Sequence, residues 1–245
     1  MKSARSIARA AAILSVCATL VGTVAGAQPV AWTNWTSFTA GTPGSATGTI
    51  AATGGPVTVT YTGEVLAGSQ TSAGGITYFD PNSSGHNFSA TTYSNGTTVP
   101  NGPGTNPGFI QMQGGGNRIL NTLTFSTPVN NLFFSIISLG QSSNGVTYAF
   151  NNAFTIATQG GGWWGTCGSP PCLTQSGNNL TGIEGDGTLI FNGPITSISW
   201  TAAPSEYWHG FSVGAQSTVP EPSSMALLGT GLVGLVPMIR RRRNK

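Results

Sequence analysis

Two neighbouring stretches in the middle of the chain decide the fold: Leu120-Asn121-Thr122-Leu123-Thr124-Phe125 and Leu132-Phe133-Phe134-Ser135-Ile136-Ile137. In the first stretch apolar residues alternate with threonines, which is typical of a β-strand with one buried face. The connecting Thr127-Pro128-Val129-Asn130 contains a proline and an asparagine, both of which favour turns. The two stretches therefore predict a β-hairpin closed by a proline-containing turn.

Similar short β-type runs continue on both sides of this pair, and there is little 3.6-residue periodicity. Asn144-Gly145 and Asn192-Gly193 mark turns between them. Residues 63–116 are rich in Gly, Ser, Thr and Asn, which predicts long loops with only a weak strand at Ile76–Phe79. The other expected strands are Val57–Tyr61, Val146–Phe150, Phe154–Ala157, Thr188–Phe191, Ile195–Trp200 and Trp208–Val213. We therefore expect one all-β domain over residues 28–213, an antiparallel β-sandwich or jelly roll with long loops.

Charged residues are few and lie mainly at the two ends of the chain. Only 6% of the residues are charged, against about 25% in an ordinary soluble protein. Between residues 28 and 222 the only basic residue is Arg118, whereas all six acidic residues lie there. One arginine cannot neutralise a track of phosphates, so nucleic acid is excluded as a partner.

Residues 1–27 have the pattern of a secretory signal peptide. Three basic residues precede an apolar stretch from Ala10 to about Val24, and Ala25-Gly26-Ala27 offers the small residues that signal peptidase requires. Cleavage after Ala27 is expected, with passage through the export machinery. The alternatives are an uncleaved membrane anchor and a lipoprotein site at Cys17, although the preceding Val16 is bulky for the latter.

The C-terminus contains a second set of signals. Pro220-Glu221-Pro222 is followed by a 17-residue stretch at 223–239 that is largely apolar, and then by Arg240, Arg241, Arg242 and Arg243 within a basic end at 240–245. The apolar stretch is at the short limit for a transmembrane helix. Basic residues stay on the cytoplasmic side, so the body of the chain is expected on the far side of the membrane.

This arrangement resembles the tail of the PEP-CTERM proteins of Gram-negative bacteria, which has a Pro-Glu-Pro motif, a hydrophobic helix and an arginine-rich end. The resemblance covers residues 219–245, with 214–218 as a spacer, and Pro237 in the helix is a departure from a regular span. It implies that an exosortase removes the tail. It also implies a cell-surface or extracellular-matrix location after transient anchoring in the inner membrane. The alternative is an ordinary C-terminal anchor that stays uncut.

Two cysteines remain after removal of the signal peptide, Cys167 and Cys172. In an exported protein, two cysteines this close favour a disulfide. The competing interpretation is a zinc site, which needs about four ligands and would have to recruit His86 and His209.

Six tryptophans are many for one small domain. Trp163 and Trp164 lie in a glycine-rich segment beside the cysteines, where an exposed ring would stack on a sugar. They are the candidate carbohydrate-binding residues, with exopolysaccharide as the ligand. The alternative is that the tryptophans fill the core, as large aromatic residues commonly do.

Residues for catalysis are scarce. Glu184-Gly185-Asp186 brings two carboxylates together, as a glycosidase or a calcium site would, but its glycines favour a turn. Glu206 and His209 lie close to Ser205, but we expect them in a surface turn rather than in a catalytic triad. We therefore expect no catalytic residues, metal or cofactor, and a structural or adhesive role. A carbohydrate-binding module and a secreted hydrolase are the alternatives.

Overall fold

The computed structural model of the protein describes residues 28–52, 55–73, 78–82, 88–105, 108–115, 119–165, 167 and 170–216. The predicted signal peptide and the predicted sorting tail with its helix at 223–239 lie outside these residues. Within the described part, no helix is long and apolar enough to cross a membrane.

The described residues form an all-β structure in which every strand pairing is antiparallel, which confirms the all-β, antiparallel part of the prediction. Twelve strands are joined by hydrogen bonds into one open sheet. They are β1 Val30–Trp32, β2 Asn34–Thr39, β3 Gly41–Ala52, β4 Gly55–Val65, β5 Ile110–Met112, β6 Asn121–Leu139, β7 Val146–Phe150, β8 Thr155–Gly160, β9 Leu173–Ser176, β10 Asn179–Gly182, β11 Gly185–Ala203 and β12 His209–Gln216.

The predicted hairpin between residues 120 and 137 is wrong, because both stretches belong to the single 19-residue strand β6. The first half of β6 pairs with β4 and the second half with β12, while β11 runs along its other side. Pro128 lies between the two paired halves, where the register with β11 also shifts. A proline has no N–H to donate, and such an irregular position is where a strand tolerates it.

A second interruption predicted from the sequence is also absent. Thr188–Phe191 and Ile195–Trp200 form one 19-residue strand, β11, and Asn192-Gly193 is not a turn. Phe191 pairs with Leu132 and Pro194 with Asn130, so two residues of β11 lie opposite one residue of β6. This is a β-bulge, and Gly193 has the positive φ of 91° that glycine adopts readily.

The two halves of the sheet face each other, like the layers of a sandwich. Tyr61 in β4 and Phe211 in β12 are attached to different halves of β6, yet their ring centroids are 5.2 Å apart. The Phe134 ring stacks on Phe211 at 4.9 Å and meets Trp200 edge to face at 5.2 Å. These four fully buried rings form the centre of the core.

The predicted loops in residues 63–116 cover the outer side of the second half of β6. Phe133 packs with Val99, and Ile137 packs with Tyr93 and Phe109 from the loops. Every described residue from Leu132 to Leu139 is therefore buried, because both faces of the strand are covered. A weak strand was expected at Ile76–Phe79. Residues 76 and 77 lie outside the described part, and Tyr78 and Phe79 are in a turn instead of a strand.

The remaining expectations agree with the structure to different degrees. β7 has the predicted bounds, and β4, β8 and β12 overlap the predicted strands. β1, β2, β3, β5, β9 and β10 have no counterpart among the predictions. β12 extends to Gln216, so residues 214–216, assigned above to the spacer, belong to the strand.

Candidate functional site

Four partly exposed rings come together on one side of the sheet and form what we call the aromatic cluster: Tyr78, Trp163, Trp164 and Trp208. The ring centroid of Trp164 lies 4.1 Å from that of Trp208, edge to face, and 4.9 Å from that of Tyr78. Trp163 meets Tyr78 edge to face at 5.1 Å. Trp164 is 44% exposed, whereas the other three side chains are half-buried.

The two adjacent tryptophans lie at the tip of a tight turn that leaves β8. Gly162 and Gly165 close the turn with reciprocal backbone hydrogen bonds of 2.9 and 3.1 Å. The Thr92 hydroxyl donates to the Gly161 carbonyl at 2.7 Å and attaches the turn to the loops. Any side chain at residue 162 would overlap the Asp186 carboxylate, so only glycine fits there. The hydrogen bond from Thr92 and the close packing of Gly162 on Asp186 therefore hold the turn in place.

The disulfide predicted between Cys167 and Cys172 is present, with a Cα–Cα distance of 5.3 Å. Cys172 is buried, and its carbonyl accepts a hydrogen bond from the Ile183 N–H at 3.0 Å. The disulfide thus links Cys167, two residues after the tryptophan turn, to the buried Cys172.

Beneath the turn, Asp186 is a fully buried carboxylate. One of its oxygens accepts hydrogen bonds from the Tyr93 hydroxyl at 2.8 Å and from the Ser138 N–H at 3.0 Å. The neighbouring Glu184 accepts a hydrogen bond from the Ser138 hydroxyl at 3.0 Å. Burial raises the pKa of Asp186 to about 7, although the two hydrogen bonds oppose the shift and the Glu184 charge adds to it.

We expect Asp186→Asn to change how stability depends on pH. Because the folded state keeps the Asp186 proton up to about pH 7, whereas the unfolded chain loses it near the ordinary pKa of 3.8, the wild-type protein loses stability as the pH rises through this window. The introduced amide does not titrate. As the pH rises, the stability of the variant relative to wild type should therefore increase, by at most on the order of 4 kcal/mol.

Urea unfolding of residues 28–216 between pH 4 and pH 8 measures this difference. The matched control is Asp80→Asn, since the Asp80 carboxylate accepts an exposed, local hydrogen bond from the N–H of Asn82, two residues later. A difference between Asp186→Asn and wild type that stays constant over the whole pH range would contradict the prediction.

Glu206 and His209 do not lie in the expected surface turn: both are buried, and His209 Nδ1 is 2.6 Å from Glu206 Oε1. The same oxygen accepts a hydrogen bond from the Gly140 N–H at 2.8 Å. Tyr207, between them, is 82% exposed, and Ser205 is exposed. The pair therefore joins the segment before β12 to the turn after β6.

Chemistry-bearing groups are otherwise sparse in the part of the chain that the structure describes. There, no three His, Cys, Asp or Glu side chains lie close enough together to hold a metal ion. The structure brings Trp163 and Trp164 together with two rings that the sequence did not predict at the site, Tyr78 and Trp208. Both are distant in sequence, and no local pattern connects them to the tryptophan pair.

Comparison with known proteins identifies the tail. Residues 218–243 match the family model of the PEP-CTERM protein-sorting motif, which confirms the resemblance seen in the sequence. This motif implies an exported protein that an exosortase processes at the membrane. No curated protein and no solved structure matches the chain.

Proposed function

We propose that the protein is a cell-surface or extracellular-matrix component with a non-catalytic, structural or adhesive role, released from its membrane anchor by an exosortase. The observation that carries this proposal is the sorting motif at residues 218–243, which begins two residues after the last strand ends at Gln216. The folded body is thus attached directly to a tail that directs export and processing.

The chemistry of the body supports a passive role. The described residues include no lysine or arginine, and three of their five acidic residues, Glu64, Asp186 and Glu206, are buried. The exterior therefore owes its polarity mainly to hydroxyl and amide groups. Such a surface forms few ionic contacts and is compatible with a hydrated, neutral polysaccharide matrix.

Two epitope tags, one after residue 28 and one after Lys245, test the proposal in a host with and without an exosortase. With the enzyme, the C-terminal tag should disappear from the protein that reaches the surface or the medium. Replacement of Pro220, Glu221 and Pro222 by alanine should preserve the tag, whereas Ser217→Ala, outside the matched motif, should not.

Two results would contradict the proposal. One is a C-terminal tag that persists on the full-length envelope protein in the host with the exosortase. The other is turnover of a polysaccharide by the purified mature protein, which would contradict the non-catalytic role while leaving export untouched.

A second candidate function is carbohydrate binding, which the aromatic cluster favours. Sugar rings stack on exposed aromatic faces, and Trp164 is 44% exposed. Its contacts with Tyr78 and Trp208 fix its orientation before any ligand arrives. A fixed ring loses little conformational freedom on binding, so more of its contact energy becomes affinity. The proposed ligand is the exopolysaccharide of the producing cell.

We expect Trp164→Ala to weaken polysaccharide binding about tenfold, since the stacking contact of one ring contributes roughly 1.5 kcal/mol. Affinity electrophoresis in gels that contain exopolysaccharide measures the effect as reduced retardation. Tyr207→Ala is the matched control, because it removes an exposed ring outside the aromatic cluster and should leave the retardation unchanged. Equal retardation of wild type and Trp164→Ala would contradict the assignment.

A further inference from the structure

The chain enters and leaves the folded body at the same place. β1, the first strand, pairs with β12, the last, and Val30 is the partner of Gln216. Paired residues in adjacent strands lie only about 5 Å apart. We call this region the tether end. It also includes the nearby bend of β6 at residues 127–130 and the start of β4. Together with Gln216, these residues line a cavity of about 320 Å³.

Short segments separate the tether end from the two export signals. Four residues lead from Gln216 to Pro220, a reach of at most about 14 Å, and three lead from Val30 back to Ala27, about 10 Å. The predicted membrane stretch begins at residue 223, at most about 25 Å of extended chain from Gln216. Both signals therefore join the body at the same end, and after cleavage of the signal peptide the tail alone holds this end close to the membrane.

The residues of the tether end that the structure describes carry no charge that would oppose contact with lipid. Pro56, Pro128 and Pro194 are exposed there, and the described residues that line its cavity are all uncharged. The described acidic residues of the strands and their flanks lie at the opposite end of the sheet. Glu64 is at the far end of β4, Asp186 at the start of β11 and Glu206 just before β12.

The aromatic cluster also lies at that opposite end. Trp208 immediately precedes β12, and the eight residue-to-residue steps from Trp208 to Gln216 span about 27 Å along the strand. We infer that, in the membrane-anchored precursor, the tether end faces the lipid surface and the aromatic cluster points away from it, which rests on the proposed function of the tail. The cluster is then accessible to ligands on the far side of the inner membrane before the tail is cut.

Site-specific labelling of the full chain tests this orientation. Thr127→Cys places a fluorophore at the tether end and Tyr207→Cys places one at the opposite end; both positions are exposed, and the native cysteines are bonded to each other. The protein, produced without exosortase and with its signal peptide removed, is inserted into phosphatidylcholine vesicles containing headgroup spin-labelled lipid. We expect severalfold stronger quenching at residue 127 than at residue 207.

The matched control carries about 20 Gly and Ser residues inserted after Gln216. Such a linker has a typical end-to-end distance of about 25 Å, so the difference between the two labels should largely disappear. Equal quenching of the two labels without the insertion, or a difference that survives it, would overturn the inference. Failure of the chain to float with the vesicles would instead overturn the anchored precursor and, with it, the proposed role of the tail.

Discussion

Phe134→Ala is expected to lower the free energy of unfolding by about 3–5 kcal/mol, the cost typical of emptying a fully buried aromatic site. Phe134 is completely buried, and its ring contacts Phe211, Trp200 and Phe150 at centroid distances of 4.9, 5.2 and 5.7 Å. These neighbours belong to both halves of the sheet and to different strands. They cannot all move inward to fill the space, because each is fixed by its own strand.

Urea unfolding of residues 28–216 measures the loss at constant m-value. Leu120→Ala is the control, since Leu120 is 60% exposed and its removal should change stability by no more than about 0.5 kcal/mol. Phe134→Leu should fall between the two because it keeps most of the apolar volume. A Phe134→Ala variant as stable as Leu120→Ala would show that the two halves of the sheet do not pack on this ring.

His209→Ala is expected to cost about 3–5 kcal/mol for a different reason, which is that it leaves a carboxylate buried without its partner. Glu206 is buried, and the structure shows hydrogen bonds to its side chain from His209 and from the Gly140 N–H. Only the one from Gly140 would remain in the variant. The imidazole also packs against the Tyr148 ring at 5.2 Å, so its removal opens space in the core.

The double variant Glu206→Gln/His209→Ala separates the charge from the packing. The introduced amide oxygen would still accept from the Gly140 N–H but carries no charge, so the double variant should be more stable than His209→Ala alone. Tyr207→Ala, which alters the exposed residue between the pair, should be nearly neutral. A double variant less stable than His209→Ala would contradict the role assigned to the buried carboxylate.

The fold class was predictable wherever strand residues alternate strictly. β7 and the central part of β4 have apolar residues at every second position, and the structure buries those positions. β3 was missed because Gly41–Ala52 consists mostly of glycine, alanine, threonine and serine. Its place in the sheet comes from pairing with β4 along almost its whole length, which no local pattern encodes.

Turn-forming residues misled the prediction in both long strands. Thr127-Pro128 and Asn192-Gly193 favour turns in an isolated segment, but here each lies inside a paired strand at its own register shift, Asn192-Gly193 opposite Asn131 and Thr127-Pro128 opposite Thr196. A bulge and a turn use the same residue types, since both need a missing donor or a positive φ. Only the partner strand decides between them.

The aromatic cluster was predictable only in part, because it too depends on contacts between distant parts of the chain. Trp163-Trp164 stands out in the sequence, but Tyr78 and Trp208 come from other parts of the chain and join it only through the tertiary fold. Glu206 and His209 were expected in a surface turn because side chains so close in sequence rarely converge on one another. In the structure the exposure of this segment changes from residue to residue, with Tyr207 exposed and both Glu206 and His209 buried.

The position of β12 between other strands determines how the protein responds to mechanical force. β12 pairs with β6 on one side and with β1 and β5 on the other. A pull on Gln216 against a grip at the opposite end of the molecule acts along β12, in shear, and must break many hydrogen bonds at once. A pull that separates the two termini instead peels β1 from β12 one bond at a time. The same molecule is therefore strong in one direction of loading and weak in the other.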